Sequence, residues 1–284
     1  MSTPSQEPIK AGPKWAGPEQ DVPGAALFTA PPYRPVERLT HAAAVAGLGV
    51  AVGIHGDYLY RHRRELLSSP VHSLVALAGG VYCADLASGL LHWAFDTWFT
   101  EHTPVVRRVV LIVREHHIYP QRVFNYPISQ DVGIMAPFGV LAAVPTAWLL
   151  LRGRAGAPAA IASLSYSVLV TVSLDLHKLG HRTNATGVLR WAQRTHLVLS
   201  PAWHFKHHAK EHDDHYCLVN GIADATLGRA GLFRFLERTI ATTTGAQPRA
   251  DDRAWRRRFG RWVSPNRTHP SRHTSSASTQ KGTK

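Results

Sequence analysis

Apolar residues along this chain gather in long blocks, and four blocks approach the ~20 residues that cross a bilayer as a helix. Residues 42–60 (AAAVAGLGVAVGIHGDYLY) begin apolar but hold His55 and Asp57. Residues 71–91 are apolar apart from His72 and Asp85. Residues 132–151 and 157–174 carry no charge, and only the short stretch 152–156 parts them. Two uncharged runs so close together predict a transmembrane hairpin. Pro137 and Pro145 are tolerated there, because packed neighbours in a membrane re-satisfy the backbone groups that proline frees. The pattern predicts an all-α integral membrane protein with about four transmembrane helices in two hairpins, capped on one face by further helices.

The flanks differ in character. Residues 1–40 are polar, with six prolines or glycines before Asp21 and no apolar core of a secretory signal. They read as a flexible arm ahead of a membrane domain spanning 41–240. Residues 241–284 form a basic tail, expected to be disordered, with ten Lys/Arg against two acids. The tail therefore holds +8 of the formal net charge of +13. Charge concentrated there, without a helix-turn-helix, zinc-finger or RRM signature, points away from nucleic acid and towards a solvated tail or anionic headgroups. The two cysteines, Cys83 and Cys217, exclude a disulfide scaffold and paired CxxC zinc sites. No GxxxxGK[ST] phosphate loop occurs.

Positive charge near helix ends sets orientation. With a cytoplasmic N-terminus, the cytoplasmic segments carry ten basic residues, among them Arg34, Arg107, Arg114 and Lys178, against five on the other side. That favours a cytoplasmic N-terminus. After an even number of spans, segments 92–130 and 175–240 share that face. The protein is thus expected to be multi-pass, in a bacterial inner membrane or an ER-type membrane, with its chemistry facing the cytoplasm.

Chemistry enters through histidine. Of 18 histidines, 12 lie between His92 and His215. Residues i and i+4 share a helix face, so His177 and His181, His204 and His208, and His92 and Asp96 each form a pair able to face one ion. His116, His117 and His207 complete a set of eight imidazoles. Eight is too many for one ion, since zinc takes four ligands or fewer, and suits two ions with open positions. Imidazole serves iron, copper and zinc alike. Two metals held by neutral imidazoles at a membrane surface suggest oxygen activation. His212 and His215 are open as extra ligands or as donors behind them. His102 and His196 read as surface groups, and His41, His55, His62, His72, His269 and His273 as ordinary histidines. Asp85 and Asp175 stand in or beside spans, where charge is costly and usually functional. Asp85 is expected to orient a ligand, or to pair with His72 or a neighbouring span.

The run Asp85-Leu-Ala-Ser-Gly89-Leu-Leu-His92-Trp93-Ala-Phe-Asp96-Thr97-Trp98 resembles the lead motif of the plasmanylethanolamine desaturase family. Arg114-Glu115-His116-His117, His177-Lys178-x-x-His181, His204-x-x-His207-His208 and Tyr216-Cys217 follow in that family's order. The resemblance spans about residues 70–222 and covers neither tail. It implies an oxidoreductase: a membrane lipid desaturase whose eight histidines hold two irons, with O2 as co-substrate and electrons from an external ferredoxin or cytochrome b5-type donor. Asp96 would orient a ligand through its free ring N–H. Asp96-Thr97-Trp98 and Arg114-Glu115 look like the branch that makes the vinyl ether of plasmalogens from 1-O-alkyl (plasmanyl) ethanolamine phospholipids. The related plant branch desaturates an acyl chain of phosphatidylglycerol.

Three other readings stay open on the residues alone. They are an acyl-lipid desaturase or a histidine-box fatty-acid or sterol hydroxylase, a membrane metal transporter, and a soluble metal-binding module. Arg107, Arg108, Arg114, Arg122 and Lys178 are candidate phosphate contacts. Residues 225–240 read as an amphipathic interfacial helix presenting Arg229, Arg234 and Arg238 to headgroups.

Overall fold

The structure, a computed structural model, describes residues 32–100, 102–118, 120–209 and 212–249. The expectations for the arm up to residue 31, for the tail from residue 250, and for His269 and His273 lie outside these residues. The described residues form ten α-helices, one 3-10 turn and one π turn, with no strand among them. The candidate spans are α1 (Pro35–Arg61), α3 (Pro70–Thr97), α5 (Ile128–Leu151) and the pair α6 (Ala157–Thr171) and α7 (Ser173–Gly180). Short α2 (Arg63–Ser68) joins the first two. The remaining helices are α4 (Arg107–Ile118), α8 (Gly187–Arg194), α9 (Pro201–Ala209) and α10 (Leu232–Thr244). Three helices are long and apolar enough to cross a membrane, and four if the bent pair α6–α7 is one span.

Helix boundaries differ from expectation where local chemistry extends them. α1 starts inside the predicted arm, because Pro35 sits at its first turn and Glu37 accepts the Arg34 N–H at 2.8 Å. α10 runs past residue 240, into the predicted tail, and Arg249 donates from its backbone N–H to the Thr97 carbonyl at 2.7 Å.

The first predicted hairpin is opened by packing. α1 lies on α5, α5 on α6, and α6 on α3, so α1 and α3 are separated although they are consecutive spans. Small residues make these approaches possible, as expected where helices meet in lipid. Gly80 of α3 faces Ser165 and the Ala162 carbonyl of α6, and Gly139 of α5 faces Thr171 and the Ser167 carbonyl. Ala136, Ala143, Ala157 and Ala160 are buried, while Val50, Leu74, Val75 and Leu141 point outward as an exposed apolar surface suited to lipid. His55, read from sequence as ordinary, is fully buried between spans. Its Nδ1–H donates to the Ala51 carbonyl at 2.7 Å, and its Nε2 lies 3.2 Å from the Ser163 hydroxyl of α6.

The fourth span breaks at Val172, where α6 and α7 bend by 58°. Hydroxyls compete for the ladder there: Thr171 donates to the Ser167 carbonyl (2.7 Å) and Ser173 to the Val170 carbonyl (2.8 Å). The bend carries α7 against α5 and α9, which places His177 and His181 beside the other histidines.

Candidate metal centre

Five histidines converge in a first group: His116 from α4, His177 and His181 from the end of the fourth span, and His204 and His208 from α9. A second group joins His92 and Asp96 of α3 to His117 and His207. In each group one ligand atom per residue lies within 4.8 Å of all the others, and every member is buried. Helical geometry sorts them. The i, i+4 pairs 177/181, 204/208 and 92/96 each stay in one group, whereas adjacent His116 and His117 diverge by about 100° and serve different groups. All eight sequence-predicted histidines and Asp96 therefore stand in these two groups. The groups adjoin, with the His92 and His177 rings 5.9 Å apart.

The donor chemistry fits metal ions. Nε2 of His204 lies 2.7 Å from Nε2 of His177 and 3.0 Å from that of His208, and Nε2 of His181 is 3.2 Å from that of His177. Crowded ring nitrogens repel through their lone pairs unless a proton or a cation stands between them. In the second group outer hydrogen bonds fix the ring orientation. His92 donates from Nδ1 to the Tyr216 carbonyl at 2.9 Å, and His207 from Nδ1 to the Asp214 carbonyl at 2.8 Å. A carbonyl only accepts, so each Nδ1 is protonated and each neutral ring turns its Nε2 lone pair inward. Burial pushes the His116 imidazole down to about 3, helped by neighbouring His92 and opposed by a bond to the Pro120 backbone. Burial first, and adjacent rings second, hold His117, His204, His207 and His208 well below the ordinary value. These rings are free bases at neutral pH, the form that binds metal.

Asp96 occupies a different place from the one anticipated. Its oxygens face inward Nε2 atoms, at 3.4 Å from His92, 3.6 Å from His207 and 3.7 Å from His117. The outer N–H groups of His92 and His207 go instead to backbone carbonyls. His212 stacks on His117, with centroids 3.8 Å apart and planes 11° apart, and belongs to neither group. His215 bonds Asp214 at 2.5 Å and edges Trp203, also away from both groups. His102 and His196 are exposed.

Several other expectations are overturned. Asp85 touches neither a ligand nor His72. Its Oδ1 accepts the N–H groups of Val219 (3.1 Å), Asn220 (2.9 Å) and Gly221 (3.1 Å), and Oδ2 that of Ala223 (2.9 Å). Asp175 bonds Lys178. Lys178 is not a phosphate contact: it is buried, pairs with Asp131, and donates to Asp175 (3.2 Å) and the Tyr126 carbonyl (2.7 Å). Arg114 is buried, Arg122 pairs with Glu115 at 2.7 Å, and Arg108 lies over the Tyr33 ring. The helix expected over 225–240 is broken. A π turn spans Asp224–Gly228, Gly231 adopts φ 92°, and α10 begins at Leu232.

Sequence reasoning missed Ser88, Asp224 and the segment they organise. Every backbone N–H from Tyr216 to Ala223 donates to a side chain. Tyr216 and Cys217 donate to Asp224, Leu218 to Ser88, Ile222 to Asn220, and the remaining four to Asp85. Burial raises the Asp224 carboxyl to about 6, against the pull of the bonds from Cys217. The sequence signal was Asp85 and Ser88 on one face of α3, an i, i+3 pair that includes a charge within an apolar run.

The lipid desaturase domain family matches residues 81–251. The chain belongs to this family. It is 28% identical to plasmanylethanolamine desaturase of Myxococcus xanthus over 78% of both chains. It is 27% identical to plasmanylethanolamine desaturase 1 of Mus musculus, over 64% of this chain and 70% of the mouse protein. Fatty acid desaturase 4-like 2, chloroplastic, of Arabidopsis thaliana is 24% identical over 68% of this chain and 64% of its own length. No solved structure matches. The protein is accordingly a lipid desaturase and an oxidoreductase, with apolar helices suited to a membrane and histidine groups suited to metal.

Proposed function

We propose that the protein converts the 1-O-alkyl chain of a plasmanyl ethanolamine phospholipid to the vinyl ether of a plasmalogen, at the cytoplasmic face of its membrane. The observation that carries this reading is the convergence of eight imidazoles and Asp96 into two adjoining groups at the ends of the spans. The relatives named plasmanylethanolamine desaturase support this choice of substrate. Ligands at helix ends suit a bond close to the headgroup, and a vinyl ether is such a bond.

His116, His177, His181, His204 and His208 would hold one iron, and His92, Asp96, His117 and His207 a second. Bound there, the irons supply the oxidising power, with O2 as co-substrate and two electrons from a separate ferredoxin or cytochrome b5-type donor. The balance is alkyl chain, O2, two electrons and two protons giving alkenyl chain and two waters. The Tyr216 and Asp214 carbonyls keep the His92 and His207 rings turned inward. Burial keeps the ligand imidazoles neutral and ready to bind.

The test is expression in a host lacking vinyl-ether lipids, fed an alkyl-lipid precursor. Acid treatment of the lipids releases aldehyde if the reading holds. A new double bond in an acyl chain without aldehyde reassigns the substrate, and a product heavier by one oxygen makes the enzyme a hydroxylase.

A further inference from the structure

A second feature lies outside the histidine groups. A cavity of about 450 Å³ opens between α9, the segment after it, and the start of α10, a volume within the range of small-molecule sites. Lys206, Arg229 and Arg234 line it, and all three are exposed. None has a carboxylate partner among the described residues. Lys206 instead stands 3.9 Å over the Trp203 ring. Two of the acids in the lining are committed: Asp214 to His215, and Asp224 to the Tyr216 and Cys217 N–H groups. Asp213 is exposed, with no ion-pair partner among the described residues. Among the described residues the cavity thus offers three cations without a carboxylate partner and one carboxylate without a cation. Such a set matches a phosphate carrying a nearby ammonium group.

Its position relates it to the histidines. Phe233 lines the cavity, and its ring lies 4.8 Å from Tyr216. Tyr216 in turn edges His92 at 5.9 Å and His207 at 5.5 Å. Asp214, also in the lining, gives its carbonyl to His207. Two aromatic rings in contact, Phe233 and Tyr216, therefore link the cavity to the second histidine group. In a glycerophospholipid a handful of bonds separates phosphorus from the first carbon of the sn-1 chain. Ile222, Leu227 and Phe235, on the same segments, are exposed apolar groups, as befits a rim at the bilayer interface.

We infer that this cavity binds the zwitterionic headgroup of the lipid substrate, with Lys206, Arg229 and Arg234 on the phosphate and Asp213 on the ammonium. The inference rests on the phospholipid reading above and adds the place where the headgroup is selected.

The test titrates the purified, metal-loaded full-length protein in detergent with dihexanoyl phosphatidylethanolamine, dihexanoyl phosphatidylglycerol and inorganic phosphate, with binding read by calorimetry. Arg229→Ala/Arg234→Ala is expected to weaken the ethanolamine lipid at least tenfold with unchanged metal content. Asp213→Asn is expected to weaken the ethanolamine lipid severalfold and leave phosphatidylglycerol unaffected. The charge-keeping Arg229→Lys/Arg234→Lys protein should retain most of the binding, which separates ligand contact from folding. Unaltered affinity in the double alanine protein overturns the site. Equal effects of Asp213→Asn on both lipids overturn the zwitterion assignment. Phosphate binding as tightly as lipid makes the cavity a free-anion site and overturns it too. If only reduction by an electron carrier suffers and lipid binding does not, the surface is a protein dock and the inference fails. Loss of lipid binding in a protein whose wild type makes no vinyl ether refutes the chemistry and leaves the headgroup site standing. Normal binding and turnover by the charge variants of an active enzyme do the reverse.

Discussion

Asp85→Ala probes the carboxylate that holds the 219–223 backbone, two turns before His92 on the same helix. Asp85 is fully buried, and its carboxylate accepts four backbone N–H groups from 219–223 at 2.9–3.1 Å. Truncation leaves four buried donors without an acceptor. At about 1 kcal/mol each, the low end for such orphans, the loss is about 4 kcal/mol. That is a large share of the roughly 5–15 kcal/mol that holds a domain together. At about 2–4 °C per kcal/mol for a chain of this size, the melting temperature should fall by about 8–16 °C. Asp85→Asn keeps one carbonyl oxygen and turns an amide N–H towards the Ala223 donor, so about 1–3 kcal/mol is expected. Displacing the segment also moves the Tyr216 carbonyl that orients His92, so metal content should fall along with stability. The assay is thermal unfolding in detergent alongside elemental analysis. An alanine variant melting within about 2 °C of wild type with full metal content, a change too small for even one orphaned donor, would refute the reasoning. So would an asparagine variant worse than alanine.

Lys178→Met strands Asp131 and Asp175 without their buried cation. It should cost about 3–5 kcal/mol, read as loss of folded protein on size exclusion after mild heating, with partial recovery in Lys178→Met/Asp131→Asn. His208→Ala and His207→Ala strike different groups, so each should lower the metal stoichiometry by about one equivalent and abolish desaturation. Unchanged metal in either variant would contradict two separate seats. The metal-stripped protein should lose stability as pH falls below about 6.5, the unfolded histidine value. The unfolded chain then binds protons that the buried rings refuse down to about 3 for His116. The slope is about 1.4 kcal/mol per pH unit for each such ring. Melting at pH 8, 6.5 and 5 checks this, and a stability that rises towards pH 5 would reverse the sign.

Much of the architecture was readable because two physical patterns are strong. Uncharged runs such as 132–151 predict spanning helices, and i, i+4 imidazoles such as His177 and His181 predict shared faces. What stayed hidden depended on packing between distant segments. The separation of α1 from α3 follows from Gly80 and Gly139 meeting α6, and no run length reveals which span a small residue will face. The bend at Val172, which brings α7 to the cluster, arises from Thr171 and Ser173 hydroxyls competing for carbonyls. Arg114, Arg122 and Lys178 read as candidate phosphate contacts because a charge count registers sign and spacing, whereas burial and partner choice decided their use. The helix predicted over 225–240 failed at Gly231, whose positive φ interrupts a periodicity that otherwise suits a helix.

The converging histidines and the device that aims them come from different parts of the sequence. Histidine spacing brings nitrogens together, but an imidazole can turn about its bond and present either nitrogen. His92 and His207 are fixed because Tyr216 and Asp214 offer carbonyls at 2.9 and 2.8 Å, and Tyr216 begins a stretch with no regular backbone pairing. That stretch is held by Asp85, Ser88 and Asp224, two of which stand on the same helix as His92, one or two turns before it. α3 therefore supplies both His92 and, through the 216–223 segment, the orientation of its ring. Irregular backbone beside a membrane span survives only when its N–H groups are satisfied, so the acidic residue within an otherwise apolar run is the condition for placing a loop there. On this logic Ser88→Ala, which orphans one donor, Leu218 N–H, should cost about a quarter of what Asp85→Ala costs. It should also shift metal content in the same direction.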